Sequence, residues 1–458
     1  MKERSRGFLL SGVLILFGIC LCLGGGSSRA DALQVLLPRV SALILAVCAL
    51  IASERSQLDR IKLPLIFLAV VVAIPVAQLV PLPQVMWGAL PGRQLYVELG
   101  KLIGEPSAWR PISISPDLTV NSCLALLSPA AIIVAMATVT DRSRRYILIA
   151  VLVIIFLSVF LAALQQSDGP QSALRFYRPT NPEFGVGLFA NRNHQALLMA
   201  IGIPVVAWWV FNPSGVLRNV PLRLAIGVAL GATCLVGAAL TASRSGLFLT
   251  LFGLIGALAI AWPSLSKLAA RVRVALAAGF LLIASASFVL AFPSLARFSA
   301  SAVQGDSRFA TLPEVMTMFR QFFPVGIGFG AFERVFPRFE SLDSLAPEYL
   351  NHVHNDLIEL GIEAGLIGYC VLFAFISWWL KASIRVWRRA SRASAEIPAA
   401  RLGSVIIALC FLASLTDYPL RTPIIASLFA LAAMMLHLGS TSGAPNRVSR
   451  QQGAFPAS

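Results

Sequence analysis

Charge is what this chain has least of. Asp, Glu, Lys and Arg make up 13% of its 458 residues, about half the share of an ordinary soluble domain. The stretches 63–80, 146–164, 224–243, 247–262 and 274–293 carry none at all. A bilayer crossing needs roughly 20 mostly apolar residues, so these runs exclude a soluble globular domain and read as an all-α polytopic membrane protein. Acidic residues are scarcer than basic ones, 21 against 37, for a net charge of +16. No groove interleaves aromatics with those basic residues, so nucleic acid is not an expected partner; the excess reads as a topology signal instead. The seven cysteines (20, 22, 48, 123, 234, 370 and 410) form no CxxC pair and lie in or beside apolar runs. They are expected to be small core residues, neither disulfides nor metal ligands. No internal repeat is evident, so the inverted halves common in transporters are missing.

The hydrophobic runs predict about twelve transmembrane spans: 8–25, 33–52, 63–80, 120–139, 146–164, 195–211, 222–241, 246–263, 274–293, 357–380, 402–417 and 423–438. With the basic N-terminus inside, even-numbered crossings return the chain to the cytoplasm. The inner loops then hold Arg55, Arg60 and Lys62; Arg142, Arg144 and Arg145; Arg218; and Lys267, Arg271 and Arg273. The 381–401 loop adds Lys381, Arg385, Arg388, Arg389, Arg392 and Arg401, and the tail Arg447 and Arg450. This bias supports one topology with both termini inside. Lys2, Arg4 and Arg6 ahead of an apolar run, with Ser28-Arg29-Ala30 behind it, also fit a signal peptide. With so many spans to follow, a retained first helix is the expectation.

The chain reads as one integral membrane domain, 1–458, with outer loops at 81–119 and 165–194, a large outer loop at 294–356 and a cytoplasmic tail at 439–458. Loops of sixty residues inside a compact protein are usually functional or disordered, and the aromatic content of 294–356 argues against disorder. Within it, LPEVMTMFRQFF at 312–323 has helical spacing suited to the outer membrane interface.

Five short motifs carry the chemistry. In HVHND, His352, His354 and Asp356 have the spacing H-x-H-x-D. Two imidazoles at i and i+2 would share a face of an extended segment and grip one zinc, but the set that would continue with another histidine meets Leu357 instead. The other reading is an acid–base histidine, because imidazole titrates near neutrality. Asn355 and Asp356 stand where a helix N-cap and first turn belong. Asp356, Glu359 and Glu363 follow on one helical stripe. Glu363, the deepest, is expected to meet a cation or a polar cavity. FANRNHQ at 189–195 places Arg192 beside Asn191, Asn193 and His194, a guanidinium and amide cluster suited to anionic oxygens. LTASRSG at 240–246 places Arg244 in a tight hairpin at a helix start, where amides, dipole and guanidinium coincide. TDYPLRTP at 416–423 places Asp417 and Arg421 on a short turn, either paired with each other or with Arg421 joining an anion site. VGIGFGAF at 325–332 lacks the strand–helix unit of a nucleotide loop and reads as a close-approach segment.

NRNH (191–194), TASRSG (241–246), GIGFGAF followed by FPRF, HVHNDLIELGIEAGLIG (352–368) and DYPLRTP (417–423) together resemble the O-antigen ligase/polymerase superfamily. QLVPLPQVMWGALPGR (78–93) and RPISISP (110–116) are similar to that group too. The resemblance spans about 60–440 and rests on order and spacing, since each motif is short. It implies a GT-C-like helical bundle in the bacterial inner membrane with a large periplasmic loop. It implies a glycosyltransferase that takes a glycan from undecaprenyl pyrophosphate at the periplasmic face. The acceptor would be a growing glycan or lipid A core, for exopolysaccharide, O-antigen or lipopolysaccharide. His354 would be the base of a single inverting displacement, with no metal and no cofactor. Arg192 and Arg244, and more weakly Arg421, would hold the pyrophosphate. Asn193, His194, His352, Asn355, Asp356 and Glu359 would support them, and membrane lipids would surround the whole. A flippase for the same lipid and a zinc-dependent membrane hydrolase are the competing readings. Nothing in the motifs separates a ligase from a polymerase.

Overall fold

A computed structural model describes residues 2–29, 33–178, 181–212, 219–267, 269–274, 277–279, 310–342, 350–390 and 396–442. Most of the expected span at 274–293 lies outside the described residues, as do Arg218, Arg392, Arg447 and Arg450, residues 294–309 and 343–349 of the large loop, and the tail from 443.

The described chain is mostly helical with almost no strand, and ten of its helices are long and apolar enough to cross a membrane. It is a multi-pass membrane protein. In chain order the long helices are α1 (Lys2–Gly24), α2 (Leu36–Ala52), α3 (Lys62–Gln78), α4 (Pro116–Thr138), α5 (Asp141–Asp168), α6 (Arg192–Phe211), α7 (Val220–Leu240) and α8 (Arg244–Leu265). An amphipathic helix α9 (Leu312–Phe322) precedes α10 (Asp356–Arg388), α11 (Ile397–Ser414) and α12 (Pro423–Thr441). At 17 residues α3 falls short of the ten, whereas α2 reaches span length as Leu33–Ala52 with the 3-10 turn Leu33–Val35 ahead of it. α10 runs further than the sequence suggests: Lys381, Arg385 and Arg388 sit on its final turns, not in a loop.

α6 is the buried axis. It packs on α7 and α8, touches α5 and α11, and exposes almost nothing. α1 packs on α2, α2 on α4, and α4 on α12, which pairs with α11. Small residues allow the closest approaches, as expected where lipid supplies no hydrophobic drive between helices: a side chain at Gly253 would meet the Ala200 carbonyl, and one at Gly403 the Ala432 carbonyl.

The two ends differ in chemistry. At one end Arg144 bonds Glu396 at 2.9 Å, Arg401 donates to the Arg389 carbonyl, and His437 meets the Arg60 carbonyl. These are the basic loops. The opposite end carries a cap built from the 79–115 segment and the 310–342 segment. Two-residue strands β1 (Pro81–Leu82) and β2 (Arg110–Pro111) pair antiparallel in the first segment. Arg93 is fully buried between the Trp87 and Phe322 rings and donates to the carbonyls of Ile112 and Gly326. Burial pulls its pKa down to about 10, so it stays charged at neutral pH and ties the two halves of the cap together. α9 turns Val315, Met318 and Phe322 into a small core with Phe332, Phe336 and Ile362.

The cap is attached to the bundle at a break in α10. Gly365 has φ +60° and ψ −145°, interrupting the helix inside an apolar run. A side chain there would collide with the Pro324 carbonyl, which accepts from Leu366 N at 2.9 Å. The carbonyls freed by the break are taken up by the glycine-rich loop: Ile327 N bonds Ile362 O, and Gly328 N bonds Glu363 O. Gly326, Gly328 and Gly330 all have positive φ, which side-chain-bearing residues rarely adopt. Broken helices are tolerated at membrane depth where protein satisfies the freed groups.

Candidate functional site

The site forms at the capped end, where four segments distant in sequence converge. Asn355 is the N-cap of α10, its Oδ1 accepting from Leu357 N at 3.0 Å and Ile358 N at 3.1 Å. Its side-chain amide donates to Leu415 O, which fixes the start of α10 against the end of α11. Asn191 caps α6 and Ser243 caps α8 in the same manner. Three of the five motifs, HVHND, FANRNHQ and LTASRSG, are therefore helix starts with a side-chain cap.

Asp417 is the hub. It is buried, yet it accepts from Asn193 Nδ2 at 2.5 Å, Asn191 Nδ2 at 3.2 Å and its neighbour's amide, Tyr418 N, at 2.9 Å. His354 Nδ1 lies 3.2 Å away and His194 Nε2 3.7 Å away. Burial alone would raise its pKa, but His354 and His194 beside it hold the carboxyl well below its ordinary range. An ionised Asp417 facing Nδ1 favours the His354 tautomer with its proton there, which would leave Nε2 to accept, as in a carboxylate-oriented base. Sequence reasoning gave Asp417 no site role. Its proximity to Arg421 in TDYPLRTP pointed elsewhere, and its contact with His354 spans 63 residues.

Asn193 links this pair to the hairpin. Its Oδ1 accepts from Ser243 Oγ at 2.7 Å, and Arg192 Nη1 donates to Ala242 O at 3.4 Å. Arg192 also lies over the Phe184 ring at 4.6 Å. Arg192, Asn193, Arg244, His354 and Asp417 thus belong to one neighbourhood. Among the described residues, the only side-chain-bearing residues with positive φ are His354 at +57° and Ala242 at +47°. Such a conformation costs about 1–3 kcal/mol and survives where the surroundings dictate it, most often at functional sites.

A second group lies across Tyr418, whose ring lies tilted against His352 at 4.2 Å and His354 at 4.9 Å and meets His194 edge-on at 5.3 Å. Burial, with the Asp417 charge beside it, pushes the Tyr418 hydroxyl well above its ordinary pKa, so it remains neutral. His352 Nδ1 is 2.7 Å from Glu359 Oε1, and Glu359 Oε2 accepts from Val353 N. Burial lowers the His352 pKa, outweighing the pull of Glu359. Arg421 turns to the acidic stripe of α10: its Nη2 reaches Glu363 at 2.9 Å and Glu359 at 3.0 Å, and its Nε is 3.6 Å from Asp356. Desolvation disfavours its charge, yet the three carboxylates overcompensate and raise its pKa. Glu363 also accepts from Gly330 N at 2.8 Å, and Asp356 from Ser414 Oγ at 2.7 Å. Glu363 therefore has its cationic partner in Arg421, and Asp417 has its own partners in the two histidines and two asparagines.

His352, Asp356, Glu363 and Arg421 face a cavity of about 490 Å³ that continues between helices towards the basic end. His194 adjoins Asp417 behind the Tyr418 ring. Among the described residues, no three His, Cys, Asp or Glu side chains converge in a way that would hold a metal ion.

The family model Wzy_C, described as O-antigen ligase, matches residues 229–376. That stretch contains Arg244, the glycine-rich loop, both histidines of HVHND and the acidic stripe; Arg192, Asp417 and Arg421 lie outside it. No curated protein matches the chain.

Proposed function

The chain belongs to the O-antigen ligase/polymerase superfamily, and on that premise we propose that it transfers a glycan from undecaprenyl pyrophosphate to a sugar hydroxyl at the periplasmic face of the bacterial inner membrane. The observation that carries the reading is the His354–Asp417 pair, held in the same neighbourhood as Arg192 and Arg244 by Asn193 and Ser243.

The acceptor hydroxyl donates its proton to His354 Nε2 as its oxygen attacks the anomeric carbon. The glycosyl–oxygen bond to the pyrophosphate breaks from the opposite face, so the configuration inverts. Asp417 fixes the tautomer and balances the imidazolium that forms. Arg192 and Arg244 receive the negative charge that grows on the departing pyrophosphate, aided by the helix starts at Asn191 and Ser243. Holding two lipid-linked partners in one water-poor site supplies the remaining acceleration. Arg421 has a different part in this scheme: with its guanidinium between Glu359 and Glu363, it organises the acidic stripe beside the base.

The test is a glycolipid and polysaccharide profile of a deletion strain complemented with wild type or His354→Ala. Accumulation of single repeat units on the lipid carrier in the His354→Ala strain identifies a polymerase. Long carrier-linked chains beside bare lipid A core identify a ligase. A His354→Ala strain that matches wild type overturns the mechanism.

A further inference from the structure

The spacing of residues 312–323 suited the membrane interface, but the fold uses that helix differently. Val315, Met318 and Phe322 of α9 face the cap core, and its exposed residues include Thr317, Arg320 and Gln321. The first segment of the cap shows the opposite pattern. Val85, Met86, Leu99, Leu102, Ile103 and Trp109 are all exposed, Val85 to 80% and Leu102 to 82%. Single exposed apolar residues need no explanation, but so many large ones between 85 and 109 mark a surface that something covers.

The nine-residue helix Gln94–Leu102 has three faces. At about 100° per residue, Leu95, Leu99 and Leu102 fall within about 60° of one another, and all three are exposed. Gln94, Glu98 and Lys101 form the next stripe, exposed and polar. Tyr96, Val97 and Gly100 form the third and turn towards the protein, with the Tyr96 ring 6.3 Å from that of Trp87. A helix resting on a protein in water has one apolar reason to stay there and keeps its other sides polar. A separate apolar stripe beside a charged one suits a helix lying in the plane of a membrane interface.

Depth identifies the cover. α3 starts at Lys62, next to Arg60 at the basic end, and its 17 residues reach about 25 Å at about 1.5 Å each. A hydrocarbon core is roughly 30 Å thick, so the chain leaves α3 before it has left the lipid. Ile66, Val70 and Val76 form an exposed apolar stripe along α3, and Val80 carries it to the short helix Gln84–Gly88, where Val85 and Met86 are exposed. The apolar surface of the cap is thus continuous with the lipid-facing side of the bundle. Trp109 ends the segment with a residue type that prefers the boundary between membrane and water.

We infer that residues 84–109 seat the cap in the bilayer leaflet at the capped end. Val85, Met86, Leu95, Leu99 and Leu102 lie among the acyl chains, with Glu98 and Lys101 at the headgroups. Arg93, the N-cap of the seated helix, donates to Gly326 O in the glycine-rich loop. The bilayer therefore sets the height of that loop, which in turn holds Glu363 through Gly330. The contact is independent of the reaction that the site performs.

Photolabelling of the purified full chain in nanodiscs tests this, using a phospholipid with a diazirine in one acyl chain and peptide mass spectrometry as the readout. Adducts are expected on peptides covering 84–88 and 94–103 as well as on α3, and none on 312–323. The double variant Leu99→Gln/Leu102→Gln is expected to lose the adducts on 94–103 and keep those on α3, which also shows that it has folded. The inference is overturned if α3 is labelled and 84–103 is not. It is equally overturned if the double variant labels as wild type does, or if each disc holds two copies cross-linked through 84–103, since a second copy is then the cover.

Discussion

Replacing Asp417 by Asn exchanges one carboxylate oxygen for an NH2 group and changes almost no volume. In the wild type, one carboxylate serves Asn191, Asn193, the Tyr418 amide and His354. The amide keeps one accepting oxygen and presents an NH2 group on its other side. If the oxygen stays with Asn193, the NH2 faces His354 Nδ1 and forces the imidazole proton onto Nε2, the atom that must accept. The charge-assisted bond is worth about 1.5–3 kcal/mol, and misplacing a general base costs about 10²–10⁴ in rate. Asp417→Asn is therefore expected to lower kcat at least about a hundredfold with little change in KM. The assay is transfer of a fluorescent acceptor by protein in nanodiscs, with the melting temperature as a folding control. The double variant Asp417→Asn/His354→Ala should be no slower than His354→Ala alone, because the two residues act as a unit. Activity of a folded Asp417→Asn within about threefold of wild type, less than 1 kcal/mol of barrier, would refute the oriented-base argument.

Arg421→Ala leaves Glu359 and Glu363 buried without their cation and is expected to cost about 3–5 kcal/mol of stability, visible as a large drop in melting temperature that Arg421→Lys partly restores. Arg192→Ala and Arg244→Ala are each expected to reduce kcat/KM for the pyrophosphate donor about 10²–10³-fold, as loss of a leaving-group stabiliser does, with the acceptor KM unchanged; a selective rise in acceptor KM would place these arginines on the wrong substrate. His352 is held below its ordinary pKa by burial, so the folded protein binds its proton less readily than the unfolded chain, whose imidazole titrates near about 6.5. Stability contributed by this group is present above that value and falls as pH drops below it, and a melting-temperature series between pH 7.5 and 5 (roughly the span of imidazole titration) should flatten in His352→Gln.

Much of the fold was legible because its determinants are local. Span positions follow from apolar run length, and the helix start at Asn355 follows from cap chemistry readable in four residues, whereas the caps Asn191 and Ser243 stand a few residues ahead of the spans expected from 195 and 246. The members of the site were legible as motifs, since ionisable side chains stand out at the edge of apolar segments. Their pairing was not. Asp417 reaches His354 and Asn193 across 63 and 224 residues, and no spacing rule covers that distance. Arg421 looked free for an anion because its three acids lie on another helix. Gly365 was invisible for the opposite reason: one glycine in an apolar run is unremarkable until the Pro324 carbonyl is found where its side chain would be.

The knot around Glu363 has an implication for traffic. Its carboxylate holds Gly330 and Arg421, while its carbonyl holds Gly328 and the Gln78 side chain, whose own oxygen holds Phe329. A lid that hinged upward would strip all of these bonds at once and strand a buried acid. On the proposed transfer, substrates would therefore be expected to enter sideways between helices, beneath a roof that these bonds hold closed.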